Sequence, residues 1–290
     1  MIPGPFAYHR PASVADAVRL LASPDGDIRA LAGGHSLIPM MKLRMSLPDQ
    51  LIDLGGLADL RGIGEEAGCI VIGAATTQAE LINSELLARH VPLLRETALQ
   101  IADPQIRTRG TLGGNIANGD PGNDMPAVMQ CLDAVFVLRG TDGERQVPAR
   151  EFYLGIYETA LRPGELITAI RVPAPPAGHG WSYEKLKRKI GDYATAAAAV
   201  VLTLDGGRVA TASITLTNVG PTPLIAHDAM ALIIGSTPDR DIVRRAAALA
   251  KAISDPATDG RGTAEYRREM TGVMTARALT KAAGRAGKGA

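Results

Sequence analysis

The stretch Ala32-Gly33-Gly34-His35-Ser36-Leu37-Ile38-Pro39 decides how this chain is read. Its glycine pair separates an apolar run, Ile28 to Ala32, from a short amphipathic run, Leu37 to Leu43. Adjacent glycines let the backbone reach positive φ and bring its N–H groups close to a bulky anion with no Cβ in the way. Downstream, Gly110-Thr111-Leu112-Gly113-Gly114-Asn115 repeats the same grammar. Neither stretch ends in the Gly-Lys-Ser/Thr of a mononucleotide P-loop, so together they predict a paired cradle for a dinucleotide pyrophosphate. Taken alone, each Gly-Gly reads first as a tight turn. It is the pairing that points to phosphate.

Working outward, Ser13-Val14-Ala15-Asp16 predicts a capped helix with Val14, Ala17, Val18 and Leu21 on one face. Ile28 to Ala32 reads as a strand, Leu37 to Leu43 as a helix started by Ser36, and Gln50 to Leu54 as a strand, a β-α-β opening. Cys69 to Ala74 is a further strand. Thr76 or Thr77 then caps helical pieces from Leu81 to Gln100, broken at Pro92. Asp103 to Asp124 is polar and aperiodic, a loop of a length that is usually functional. A helix at 125–132, a strand at 134–138, a turn at Asp142-Gly143 and an extended run at 165–172 follow. Pro173-Ala174-Pro175-Pro176-Ala177-Gly178 is the clearest linker, and it divides the chain into 1–177, with subdomains of about 1–55 and 56–177, and 178–290. Beyond it come strands at 181–188, 194–204 and 208–218, with a hairpin turn at Asp205-Gly206-Gly207, then helices at 225–234, 239–253 and 263–283. The expected fold class is α+β. Ala196 to Ala199 reads as a small-residue packing surface.

The composition narrows the function. With 290 residues, 46% hydrophobic and 21% charged, the chain has an ordinary globular balance. A formal net charge of +1 without long runs of one sign argues against nucleic acid or an acidic membrane surface as partner. The basic tail around Lys281, Arg285 and Lys288 reads as a solvated helix end. No apolar run is long enough to span a membrane, and Met1-Ile2-Pro3-Gly4-Pro5 is unlike a secretion signal, so a cytoplasmic location is expected. The 2 cysteines, Cys69 and Cys131, read as small core residues. An iron–sulfur cluster needs about four thiolates, so this chain is not expected to hold one. No Cys/His cluster has zinc spacing.

Candidate chemistry is correspondingly sparse. Gly62-Ile63-Gly64-Glu65-Glu66-Ala67 fits a dinucleotide fingerprint in letters, but the strand that follows leaves no room for the helix a true one opens. There is no Gly-x-Ser-x-Gly and no His-Glu-x-x-His. His9, His90, His179 and His227 read as surface or loop residues. For His35 two readings stay open, a ring beside a bound cofactor or a structural role. Backbone donors from Gly33, Gly34, His35, Ser36, Gly113 and Gly114 could replace the hydration of a pyrophosphate, with Asn115, Ser36 and Thr111 extending the set. Asp124 could accept from sugar hydroxyls or cap the next helix. A dinucleotide site without its own acid–base machinery suggests that a redox cofactor does the chemistry.

These blocks, together with Asp120-Pro121-Gly122-Asn123-Asp124-Met125-Pro126-Ala127 and Tyr183-Glu184-Lys185-Leu186-Lys187-Arg188-Lys189-Ile190-Gly191-Asp192-Tyr193-Ala194, resemble the FAD-binding medium subunits of molybdenum hydroxylases, relatives of the xanthine dehydrogenase flavin domain. The resemblance covers the whole chain. Within that family, Met1 to Phe6, Asn118 to Asp124 and 183–194 are most similar to the aerobic carbon monoxide dehydrogenase branch. Thr108, where many relatives have Asn, is a small departure.

The resemblance implies a two-subdomain FAD-binding domain of the vanillyl-alcohol-oxidase (PCMH) type followed by a C-terminal antiparallel sheet with helices. It implies FAD contacts from Ala32, Gly33, Gly34, His35 and Ser36, and from Thr111, Leu112, Gly113, Gly114 and Asn115. Asp124 would bind hydroxyls and Tyr193 would cover one face of the isoalloxazine. Lys185 would stand near the ring's pyrimidine end, where a positive charge favours negative charge on the reduced ring. For Lys185 an exposed strand position, and for Tyr193 plain core packing, stay open. No catalytic or metal-ligating residue is expected in this chain. The partners implied are a large molybdoprotein subunit with molybdopterin cytosine dinucleotide, Mo and Cu, and a small subunit with two [2Fe-2S] clusters, in a dimer of heterotrimers. Electrons from CO oxidation would reach the FAD through the clusters and leave to a quinone. The complex would be cytoplasmic, either free or against the inner face of the membrane. An aldehyde or N-heterocycle as the complex's substrate, a colourless assembly subunit and a self-sufficient flavin oxidase are the alternatives.

Overall fold

A computed structural model describes residues 2–287. Met1 of the N-terminal block and Lys288 of the basic tail lie outside the described residues. Strand β1 (Ala7–His9), helix α1 (Val14–Leu21), β2 (Ile28–Leu31), α2 (Leu37–Lys42) and β3 (Gln50–Asp53) form the first unit. Its strands are parallel in the order β1-β3-β2, the expected β-α-β opening. Ser13 caps α1 by accepting the Asp16 N–H, and Ala17 and Val18 pack on Ile52, Leu54 and Leu60.

The second unit begins with β4 (Ile63–Glu66) and β5 (Cys69–Gly73), an antiparallel hairpin. It occupies the false dinucleotide fingerprint, as the missing room for a helix requires. Helices α3 (Gln78–Asn83), α4 (Glu85–His90) and α5 (Pro92–Ala98) follow. Thr77 and Glu80 make a reciprocal capping box on α3, and Pro92 opens α5 at its first turn. The expected loop at 103–124 is a correction, because it contains α6 (Pro104–Arg107) and α7 (Leu112–Ala117). Asp103 and Thr111 cap these helices through the Ile106 and Gly114 N–H groups, so local capping overrides the poor periodicity. Next come α8 (Asp124–Cys131), β6 (Val135–Gly140), β7 (Gly143–Pro148), α9 (Ala149–Phe152), β8 (Tyr153–Gly155), β9 (Glu158–Thr159) and β10 (Leu166–Pro173). Strands β4-β5-β10-β6-β7 make a five-stranded antiparallel sheet whose core includes Ile70, Ile72, Phe136 and Ile170, packed with Leu94 and Val128 of the helices.

The third unit has β11 (Gly180–Leu186), β12 (Ala196–Asp205), β13 (Arg208–Thr217) and the short β14 (Leu224–Ile225) in one antiparallel sheet, backed by α10 (His227–Ile233), α11 (Arg240–Ala252) and α12 (Ala264–Arg285). Gly206 and Gly207 take φ of +53° and +78° in the β12–β13 turn, a pair of left-handed positions suited to a two-residue hairpin. On β12, Ala197 and Ala199 pack into the core of the second unit while Ala196, Ala198 and Val200 pack against the helices. The alanine run is therefore a strand buried on both faces, which larger side chains would force apart.

Three readings change here. The basic tail is not simply solvated: Arg285 donates to Glu96 Oε2 at 2.7 Å and to the Trp181 carbonyl at 2.7 Å, and Lys281 lies 3.3 Å from Glu96 Oε1. His179 is buried against Trp181 with Nδ1 2.9 Å from the Pro176 carbonyl, and burial lowers its pKa. Cys131 is a core residue whose thiol burial pushes up to about 12, whereas Cys69 is only partly buried.

Glu96, on α5, also accepts the Tyr183 N–H at 3.0 Å, so one carboxylate joins α5 to both β11 and α12. Glu96→Ala leaves that N–H without its acceptor and takes one of two partners from each of Lys281 and Arg285. It is expected to cost about 1–3 kcal/mol, a fall of a few degrees in Tm, measured by calorimetry on the chain. An unchanged Tm would remove Glu96 from the joint.

Candidate cofactor-binding site

A cleft of about 980 Å³ runs between the three units, lined by both glycine stretches, Asp124, Lys185 and Tyr193. That volume lies at the upper end of typical small-molecule sites. Its first wall is the turn from β2 into α2. Gly34 takes a φ of +75°. The N–H groups of Gly33, Gly34, His35 and Ser36 find no protein acceptor among the described residues, and the Ser36 side chain makes no cap bond there. Successive free N–H groups around a left-handed residue form an anion nest. His35 is exposed at this wall.

The second glycine stretch works differently from the expected paired cradle. The Gly113 N–H donates to the Ala74 carbonyl at 2.8 Å, and the Gly114 N–H to Thr111 Oγ1 at 3.1 Å. Both expected donors are thus already used inside the protein, because Thr111 starts α7 against the end of β5. Neither glycine has positive φ. Their lack of a side chain is needed for packing: a Cβ on Gly113 would stand 2.6 Å from Ala74 Cβ. Gly33 is also glycine for this reason, since its Cβ would stand 2.7 Å from Gly110 Cα and closer still to the Arg109 carbonyl. The second stretch buttresses the first. Thr111, Gly113, Gly114 and Asn115 line the cleft, while Leu112 is fully buried in the core and does not.

Further along the cleft, Asp124 is the first residue of α8, whose cap position is Asn123, so the N-capping alternative falls. Instead, Asp124 Oδ2 pairs with Lys185 Nζ at 2.7 Å, and Oδ1 accepts the Tyr183 hydroxyl at 2.5 Å. The side chains of Lys185 and Asp124 are 1% and 6% accessible, which overturns the exposed-strand reading of Lys185. Tyr183 and Lys185 share one face of β11, and that face turns inward over α8. Burial first, then the Asp124 carboxylate, holds the Tyr183 phenol well above its usual range. Carboxylate oxygens have further lone pairs, so Asp124 can still accept from a ligand in the cleft. Tyr193, 42% exposed at the rim, is no core residue. Burial, then the Asp120 carboxylate, pushes its phenol up to about 12.

Gln78 also lines the cleft, and the sequence did not single it out. Both its amide atoms are buried without a partner among the described residues, as is Asn115 Oδ1. The capping box placed Gln78 on the first turn of α3, but only the tertiary fold turns it inward. A free anion nest, orphaned amide atoms and a buried carboxylate fit a ligand carrying phosphates and hydroxyls, as FAD does.

The chain belongs to the family described as FAD binding domain in molybdopterin dehydrogenase, which matches residues 4–175. Residues 181–282 match the CO dehydrogenase flavoprotein C-terminal domain. The chain is 61% identical, over 99% of both chains, to the carbon monoxide dehydrogenase medium chain of Afipia carboxidovorans, and 50% identical, over 97% of this chain and 98% of the relative, to that of Hydrogenophaga pseudoflava. It is similar to the crystal structure of the Cu,Mo-CO dehydrogenase in its cyanide-inactivated form, with a TM-score of 0.97 and 61% identity over 99% of this chain and 100% of that one.

Two substitutions test the geometry. Gly33→Ala is expected to push the two glycine stretches apart and lower FAD content per chain severalfold, read from absorbance, while circular dichroism stays native. Lys185→Met strands a buried carboxylate and is expected to cost about 3–5 kcal/mol in urea unfolding, with Asp124→Asn added to it restoring part of the loss.

Proposed function

We propose that this chain is the FAD-carrying medium subunit of a heterotrimeric molybdenum–copper carbon monoxide dehydrogenase. The observation that carries this reading is the 61% identity that runs the whole length of both chains, C-terminal unit included. When bound, FAD supplies a redox centre that takes up electrons and hands them on.

The residues of this chain then have separate tasks. The N–H groups of Gly33, Gly34, His35 and Ser36 bind the pyrophosphate, with Thr111, Gly113, Gly114 and Asn115 forming the opposite wall and Ala32 leading into the turn. Asp124 accepts from a hydroxyl. Lys185 brings the positive end of its ion pair with Asp124 to the pyrimidine end of the ring, inside a poorly screened environment where that dipole acts strongly. Tyr193 covers a face of the ring and limits water.

In this reading the oxidation of CO with water to CO2 takes place in a large partner subunit holding molybdopterin cytosine dinucleotide, Mo and Cu. A small subunit with two [2Fe-2S] clusters delivers the electrons, and a quinone receives them from this chain. The complex is a dimer of heterotrimers in the cytoplasm. Among the described residues no helix is long and apolar enough to cross a membrane.

The test is to purify the chain with its native partners. Stoichiometric FAD, bleached by CO and re-oxidised by a quinone analogue, is the expected result. Flavin bleached by an aldehyde or an N-heterocycle and not by CO would move the chain to another molybdenum hydroxylase. A colourless complex would overturn the flavin reading altogether.

A further inference from the structure

Tyr193 lies in the connection between β11 and β12, residues 187–195, and it is held there by a second connection, residues 253–263 between α11 and α12. The Arg261 guanidinium stands 5.3 Å from the centroid of the Tyr193 ring. Arg261 is itself fixed: its Nη1 donates to Asp259 Oδ2 at 2.7 Å, and its backbone N–H to Asp259 Oδ1 at 2.8 Å. Asp259 is anchored in turn by Arg267, which is only 3% exposed and lies 3.2 Å from Oδ2. Arg267 also donates to the carbonyls of Thr195 and Asn218, at the ends of β12 and β13, and to that of Ala257. Arg188 adds a second tie between the two connections by donating to the Gly260 carbonyl at 3.0 Å. From the other domain, Gly122 gives the ring its seat, since a Cβ there would stand 2.9 Å from Tyr193 Cδ1.

The geometry points to Arg261 as a positioning residue that clasps the Tyr193 ring across the mouth of the cleft and so sets how far the bound ring system is open to solvent and to an external electron acceptor. The inference rests on the FAD reading above and extends it to a residue outside the cleft wall. A guanidinium over an aromatic face attracts it through the ring quadrupole, and Arg261 is pre-ordered by Asp259 and Arg267, so little entropy is lost in holding the pose. Without that contact, the ring keeps its seat against Gly122 and its Asp120 neighbour on one side but loses its cover on the other, because the remaining ties of its own connection, Arg188 and the Asp192 cap on the Tyr193 N–H, do not touch it.

The test uses the FAD-loaded complex. Arg261→Ala is expected to keep FAD stoichiometry while the iodide-quenching constant of flavin fluorescence rises about twofold to fivefold, the size of one exposed cation–π contact. The KM for a quinone analogue should shift with kcat changed less. Arg261→Lys should keep most of the protection, and Tyr193→Phe with Arg261 intact, which keeps the ring, should do the same. In a Tyr193→Ala background, Arg261→Ala should add nothing. Unchanged quenching in Arg261→Ala, or an equal additional effect in the Tyr193→Ala background, overturns the clasp. A readout without flavin separates this from failure of the FAD reading: nitration of Tyr193 by tetranitromethane in the FAD-free chain, located by mass spectrometry, should be faster in Arg261→Ala. Equal rates overturn the clasp whether or not the purified complex carries FAD.

Discussion

The Asp124–Lys185 ion pair is the constraint around which the cleft is arranged. Each side chain is nearly inaccessible, and a buried charge is tolerable only when paired and hydrogen-bonded. The pair therefore requires α8 of the second unit and β11 of the third to meet at one place. Tyr183 donates to the same carboxylate and leans on Thr217, which extends the requirement to β13. Glu96 meets the same strand at the Tyr183 N–H with a similar demand, tying α5 to β11 and α12. Polar groups with so few alternatives align two domains more narrowly than apolar packing would, because hydrophobic contact has no direction.

The two glycine stretches divide the labour between them. One keeps its N–H groups free, and the other spends them on the protein and stands as a wall. Gly33 links the two, because its missing Cβ lets the first turn rest on Arg109 and Gly110. A reading based on composition treats these glycines as equivalent donors. What separates them is the capped start of α7 against Ala74, a contact between segments far apart in sequence.

The third unit behaves as a clamp on the other two. Its strand β12 buries alanines on both faces, so the C-terminal sheet shares a core with the second unit on one side and with its own helices on the other. From that base the connections at 187–195 and 253–263 reach the rim, where Tyr193, Asp120 and Arg261 meet. The C-terminal helix, whose basic end looked like a solvated tail, closes the opposite side through Lys281 and Arg285.

Local chemistry made much of this legible in the sequence. Capping residues placed α1 and α3, Asp205-Gly206-Gly207 placed its hairpin, the false fingerprint at 62–67 was rejected for lack of a helix, and the glycine pairs located the cleft. Each depends on interactions within a few residues. Tertiary structure alone decided that Lys185 faces inward to Asp124, that Leu112 turns into the core, that Gly113 and Gly114 are walls, that Gln78 points into the cleft, and that Arg261 reaches Tyr193. Those outcomes depend on which segment lies across from a residue. Periodicity tells that a strand has two faces, but burial and pairing in the folded chain determine which face meets the ligand.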